Sequence, residues 1–182
     1  MQIIPAILTN DIEEFNNLLA RISHKFDRVQ IDFIDGEYTK NKTLLPSEVN
    51  SNLKMDAHLM VVEKNLQSYL ESLVGFDRII VQMESISKPE DFDCLALDIH
   101  SPIEAIVPYL PKLKLVNLMS IEPGFGGQEL DLKIIQKVSY LRSLGNFKIA
   151  VDGGIEQEHL EKLESLGVDE VVVGASRMLL WK

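Results

Sequence analysis

Eight short apolar runs, each followed by a segment of helical period or a polar loop, constrain this chain more than any other feature. They lie at about 2–8, 28–34, 54–61, 78–84, 94–99, 114–120, 147–152 and 169–174 and are rich in Ile, Val and Leu. Strict alternation of β and α units implies a parallel sheet. Eight such strands predict closure into an α/β fold of the (β/α)8 TIM barrel type, with an open doubly wound sheet as the alternative. The intervening stretches support this. In "NDIEEFNNLLARIS" the apolar residues 12, 15, 18, 19 and 22 recur at a helical period, with Asn10 or Asp11 placed to cap the helix. At 182 residues and 46% hydrophobic content, residues 1–182 read as one barrel domain.

Two helices look reduced. Only "SISKPEDF" separates the fourth and fifth strands, and only "ASRMLLWK" follows the eighth. A truncated last helix leaves Met178, Leu179, Leu180 and Trp181 to cover the barrel. Either they fold tightly onto it or the uncovered surface pairs with a second copy, so a homodimer is expected.

The net charge of -10 argues against nucleic acid and anionic membranes as partners, because phosphate contacts need clustered Lys and Arg. The single cysteine, Cys94, excludes an internal disulfide and fits a reducing cytoplasm. The apolar start lacks a basic region and a cleavage pattern, so no signal peptide is expected. No apolar run approaches the roughly 20 residues of a membrane span.

Within "VQIDFIDGEYTKN" (29–41), Val29, Ile31 and Phe33 fall on one side of a strand and Gln30, Asp32 and Ile34 on the other. A carboxylate inside a buried strand is costly unless paired, or shifts its pKa. Asp32, His58 and Asp152 all interrupt apolar strands near the C-terminal ends, where barrels of this kind carry their function. Each alone admits a structural role: an ion-paired carboxylate, a hydrogen-bonded core histidine, a turn-stabilising aspartate. Together they describe one site, because the barrel brings strands two, three and seven around a common axis.

Glycine forms the second constellation. "EPGFGGQ" contributes Gly124, Phe125, Gly126 and Gly127, "DGG" contributes Gly153 and Gly154, and "GAS" contributes Gly174, Ala175 and Ser176. Tight turns would explain any one of these loops. Three successive loops at one end of a barrel suggest a phosphate site built from backbone N–H groups, which an acidic protein can still offer to an anion.

"PAIL", "VQIDFIDGEY", "DAHLMV", "LMSIEPGFGGQ", "VDGGI" and "VVVGAS" resemble the ribulose-phosphate 3-epimerase family over nearly the whole chain. The resemblance implies an isomerase that interconverts ribulose 5-phosphate and xylulose 5-phosphate. It also implies a divalent metal (Zn, Fe, Mn or Mg) held by two His and two Asp, the same two Asp exchanging protons. Asp32 and Asp152 match those carboxylates, His58 one imidazole, and Met60 and Met119 the methionines that line the family's site. This chain departs from the pattern at Gln30, where a metal-binding His stands, and at Ala6, Ile34, Gln82 and Asp98-Ile99. Gln30 offers a carbonyl oxygen, a poorer zinc ligand than imidazole, so weaker or altered metal use is expected. The alternative is a noncatalytic sugar-phosphate-binding relative. Decarboxylase and aldolase relatives on the same fold carry an Asp-x-Lys-x-x-Asp strand motif, which "DFIDG" lacks.

Overall fold

The computed structural model describes residues 1–181. Eight parallel strands follow one another in chain order: β1 (Gln2–Ile7), β2 (Arg28–Ile34), β3 (Lys54–Met60), β4 (Arg78–Gln82), β5 (Cys94–Leu97), β6 (Leu115–Met119), β7 (Ile149–Asp152) and β8 (Glu170–Gly174). β1 pairs with both β2 and β8, which closes the barrel. The predicted (β/α)8 architecture is therefore present. Several strands end a residue or two earlier than their apolar runs; β4 stops at Gln82 and continues as a single 3-10 turn, Met83–Ser85.

The two-residue period of the strands divides the molecule into an outer shell and an inner column. Val29, Ile31 and Phe33 of β2 join the large core between barrel and helices, together with Phe15, Leu18 and Ile22 of α1 (Ile12–Ile22). Asp11 caps α1 by accepting hydrogen bonds from the Glu13 and Glu14 amides at 2.8 and 3.4 Å. Inside the barrel, Ile80, Cys94, Ala96, Leu115 and Ala150 form one small apolar cluster and Ile4, Ala6 and Val172 another. Polar residues lie above and below this apolar middle.

Four further α-helices follow strands: α2 (Glu63–Ser72) after β3, α3 (Lys133–Leu144) after β6, α4 (Gln157–Ser165) after β7 and α5 (Ala175–Met178) after β8. The expected thinning after β4 is confirmed, for only the turns Met83–Ser85 and Pro89–Asp91 occur there. The thinning extends further than expected. The segment after β2 holds one 3-10 turn, Pro46–Glu48, and the segment after β5 is a 3-10 helix, Ile103–Tyr109, containing Pro108. Proline lacks the backbone donor that an α-helix interior requires.

α5 has four residues, as the short C-terminus implied. Met178 is buried, Leu179 and Trp181 pack half-buried on the core, and the Trp181 indole donates to Glu156 Oε2 at 3.1 Å. The segment thus folds onto its own barrel and leaves Leu180 exposed. No helix among the described residues is long and apolar enough to cross a membrane.

The N-terminal end of the barrel is plugged by charge. Asp56 receives Arg28 and, at 2.5 Å, Arg78; Arg78 also reaches Glu170 at 2.8 Å, and Lys148 reaches Glu170 at 3.3 Å. Both carboxylates are almost fully buried.

Candidate active site

At the opposite end, the strand termini and their loops enclose a cavity of about 410 Å³. β2 and β7 bring Asp32 and Asp152 to its floor, and Met60 and Met119, at the ends of β3 and β6, line it beside Ala6. His58 and Gln30 lie beneath that floor, 0% and 1% exposed. Strand register accounts for the grouping: β2 and β3 are paired so that Asp32 stands beside His58 and Ile34 beside Met60.

One amide nitrogen occupies the centre of the group. Gln30 Nε2 donates to Asp32 Oδ1 and to Asp152 Oδ2, each at 2.9 Å, and stands 3.4 Å from His58 Nδ1. His58 Nδ1 faces Asp32 Oδ1 at 3.3 Å and Asp152 Oδ2 at 3.6 Å, while its Nε2 faces Gln82 Oε1 at 3.1 Å. Asn117, in the middle of β6, donates a second amide hydrogen to Asp152 Oδ2 at 2.9 Å. Burial opposes charge on His58, but the hydrogen bond and charge of Asp32, the charge of Asp152 and the Gln82 contact carry its pKa up to about 9. Burial, together with the charge of Asp32, pushes Asp152 up to about 6, against the opposing influence of His58, Asn117 and Gln30.

Asp32, His58 and Asp152 are therefore brought together as the sequence suggested. Their arrangement does not fit a metal ion. The expected contribution of Gln30 was a carbonyl oxygen, whereas the group facing the carboxylates is its amide nitrogen, which has no lone pair free for a cation. A separate group, Asp98, His100 and Glu122, places three ligand atoms within 4.8 Å of one another, but these residues lie outside the cavity and two of the three are exposed.

The glycine loops form the cavity's outer wall. Gly124, Phe125, Gly126, Gly127, Gly153, Gly154, Gly174, Ala175 and Ser176 all line it. Among the described residues, the N–H groups of Gly126, Gly127 and Gly154 meet no protein acceptor, whereas Gly153 donates to Val172 O at 3.2 Å. Gly154 has φ +66°, and a Cβ there would lie 2.5 Å from the Leu130 nitrogen, so the close approach of two loops demands glycine. Side chains brace the wall. Ser120 Oγ donates to Asp152 O and Gly153 O at 2.9 and 2.6 Å, Gln128 Nε2 to Phe125 O at 2.7 Å, and Asn41 Nδ2 to Gly124 O at 2.8 Å.

Sequence reasoning missed two residues of this site. Arg177 supplies the positive charge among the described lining residues, and it is held by Glu156 Oε1 at 3.1 Å and Gln128 O at 3.2 Å. Its signal was a basic residue directly after "GAS". Asn117 could have been found as the one amide in "LVNLM".

A model of the ribulose-phosphate 3-epimerase family matches residues 2–178. The chain belongs to that family. Among its relatives, the ribulose-phosphate 3-epimerase of Schizosaccharomyces pombe is 26% identical, the match covering 96% of this chain and 86% of the relative. That of Helicobacter pylori is 28% identical, covering 96% and 89%. The barrel also resembles a chain of the tryptophan synthase complex from Pyrococcus furiosus, with TM-score 0.66 and 15% identity over 96% of this chain and 87% of the other. At that identity the likeness concerns the fold. Membership and relatives support an isomerase of the ribulose-phosphate 3-epimerase type.

Proposed function

We propose that the protein is a sugar-phosphate epimerase that inverts the carbon next to a ketone, with ribulose 5-phosphate as the first substrate to test. The observation that carries this reading is the pair Asp32 and Asp152 at the floor of a cavity whose wall is built from glycine loops. The C2 ketone acidifies the proton at C3. One carboxylate removes it, the C–H electron pair moves into the C2–C3 bond, and the carbonyl oxygen gains the charge of an enediolate. The other carboxyl group then delivers a proton to the opposite face of C3, and the C2 carbonyl reforms. The two carboxyl groups have then exchanged protonation states and re-equilibrate with water. Asp152, pushed up to about 6, exchanges its proton near neutral pH. His58 places positive charge directly beneath the pair.

Gly126, Gly127 and Gly154 offer unengaged N–H groups to the substrate phosphate, and Arg177 adds charge in a protein that is otherwise acidic. Met60 and Met119 close the apolar side of the cavity. Gln30 is the residue through which use of a metal, or the preferred sugar, would differ from that of relatives. The test is conversion of ribulose 5-phosphate to xylulose 5-phosphate followed by NMR. Formation of the epimer is the expected result. Saturable binding of the sugar phosphate with no product would instead support a noncatalytic binder.

A further inference from the structure

We propose that the Gln30 carboxamide takes the place of a divalent cation, its nitrogen holding Asp32 and Asp152 together beside His58 so that the site assembles without a metal. The nitrogen sits where a cation bound to these residues would have to sit, 2.9 Å from one oxygen of each carboxylate and 3.4 Å from the imidazole. An amide NH2 has two hydrogens, and the two carboxylate oxygens accept them. Zinc ligands lie at about 2.0–2.2 Å, so an ion cannot share this space with the nitrogen. Turning the amide over would set its oxygen, an acceptor, against two carboxylate oxygens, an arrangement that needs a cation or a carboxyl proton between them.

Two more amides reinforce this arrangement. Asn117 Nδ2 donates to the same Asp152 oxygen at 2.9 Å, and Gln82 Oε1 engages His58 Nε2 at 3.1 Å. β2, β4 and β6 thus each contribute a fully buried carboxamide around one carboxylate pair and one imidazole. Gln30 acts as a positioning residue: it fixes the separation of the two carboxylates that exchange protons. Only this last consequence rests on the proposed epimerase reading, since the donor geometry stands whatever the reaction.

The test uses the whole chain, prepared in chelator and titrated with Zn2+ and Mn2+ by calorimetry, with bound metal counted by mass spectrometry. The wild type should bind no ion whose uptake is lost in Asp152→Asn. A His100→Ala variant removes any contribution from the surface group at Asp98 and Glu122. Gln30→His should tighten zinc binding by more than the roughly 10–100-fold that outer partners of a metal site confer. Gln30→Leu should lower kcat while leaving the affinity for inorganic phosphate unchanged. One tightly held ion per wild-type chain, absent from Asp152→Asn, would overturn the proposal, as would zinc affinity unaltered in a folded Gln30→His variant. If no epimerisation occurs under any condition, the metal titration still decides the role of Gln30, and the functional reading fails separately.

Discussion

The two ends of the barrel interior both bury a pair of carboxylates, yet they neutralise them by opposite means. At the N-terminal end, Asp56 and Glu170 meet three cations, Arg28, Arg78 and Lys148, and every carboxylate oxygen that is engaged faces a charged donor. At the C-terminal end, Asp32 and Asp152 meet one imidazole and a set of neutral amides. The first end gains a closed plug with strong, directional pairing. The second leaves negative charge under-compensated and one carboxyl group raised to about 6. Full ionic pairing marks the plug; incomplete pairing marks the end at which we propose that protons move.

The sharpest way to break the comparison is at the plug. Arg78→Met leaves Asp56 and Glu170 buried without their shared partner. Removing one member of such a pair costs about 3–5 kcal/mol, so the urea midpoint should fall steeply while the folded fraction keeps its activity. Unchanged stability would mean that the plug is no more structural than the mouth.

Gly154→Ala probes the mouth's wall. Its left-handed φ and the backbone 2.5 Å from a would-be Cβ force the two loops apart. The conformational penalty alone is about 1–2 kcal/mol. If the wall holds the substrate phosphate as proposed, a rise of roughly tenfold in KM, with kcat nearly constant, is the expected signature.

A smaller effect concerns Asp35, at the edge of the mouth. Burial disfavours its charge, but hydrogen bonds from the Tyr38 amide, Asn65 and the Val62 and Glu37 amides outweigh it and hold the carboxyl below its usual value. Because the folded value is depressed, these bonds stabilise fully above the unfolded pKa of about 3.9 and are lost as pH falls through the folded value. Protection factors of the amides of residues 36–42, corrected for the intrinsic exchange rate, should therefore fall below about pH 4, and Asp35→Asn should remove that acid dependence.

The barrel was legible because eight apolar runs separated by amphipathic segments admit few closed solutions. Asp32, His58 and Asp152 were legible because each interrupts a buried strand. The plug was not: Arg28, Asp56, Arg78 and Glu170 sit near strand starts, where charged residues read as ordinary solvated edges. Only closure of the barrel turns those strand starts toward one another. The orientation of Gln30 was also beyond the sequence, because an amide's oxygen and nitrogen ends are chosen by its neighbours, here two carboxylates from strands far apart in the chain. The 3-10 segment after β5 did leave a local signal, Pro108, which removes a backbone donor inside the helix, whereas Pro46 opens its turn at a position that an α-helix also tolerates, so the segment after β2 left none.

The central claim is that Asp32 and Asp152 exchange protons with C3 of a ketose phosphate. The most direct measurement is incorporation of solvent deuterium at C3 of ribulose 5-phosphate, followed by proton NMR with and without added Mn2+, for the wild type, Asp32→Asn and Asp152→Asn. Exchange and epimerisation by the wild type are expected, with epimerisation lost by about 10²–10⁴-fold in each variant and exchange lost in the one that lacks the base facing the ribulose C3 proton, both variants still folded. Tight binding without exchange in the wild type, epimerisation that survives in either variant, or exchange that survives undiminished in both, would contradict it.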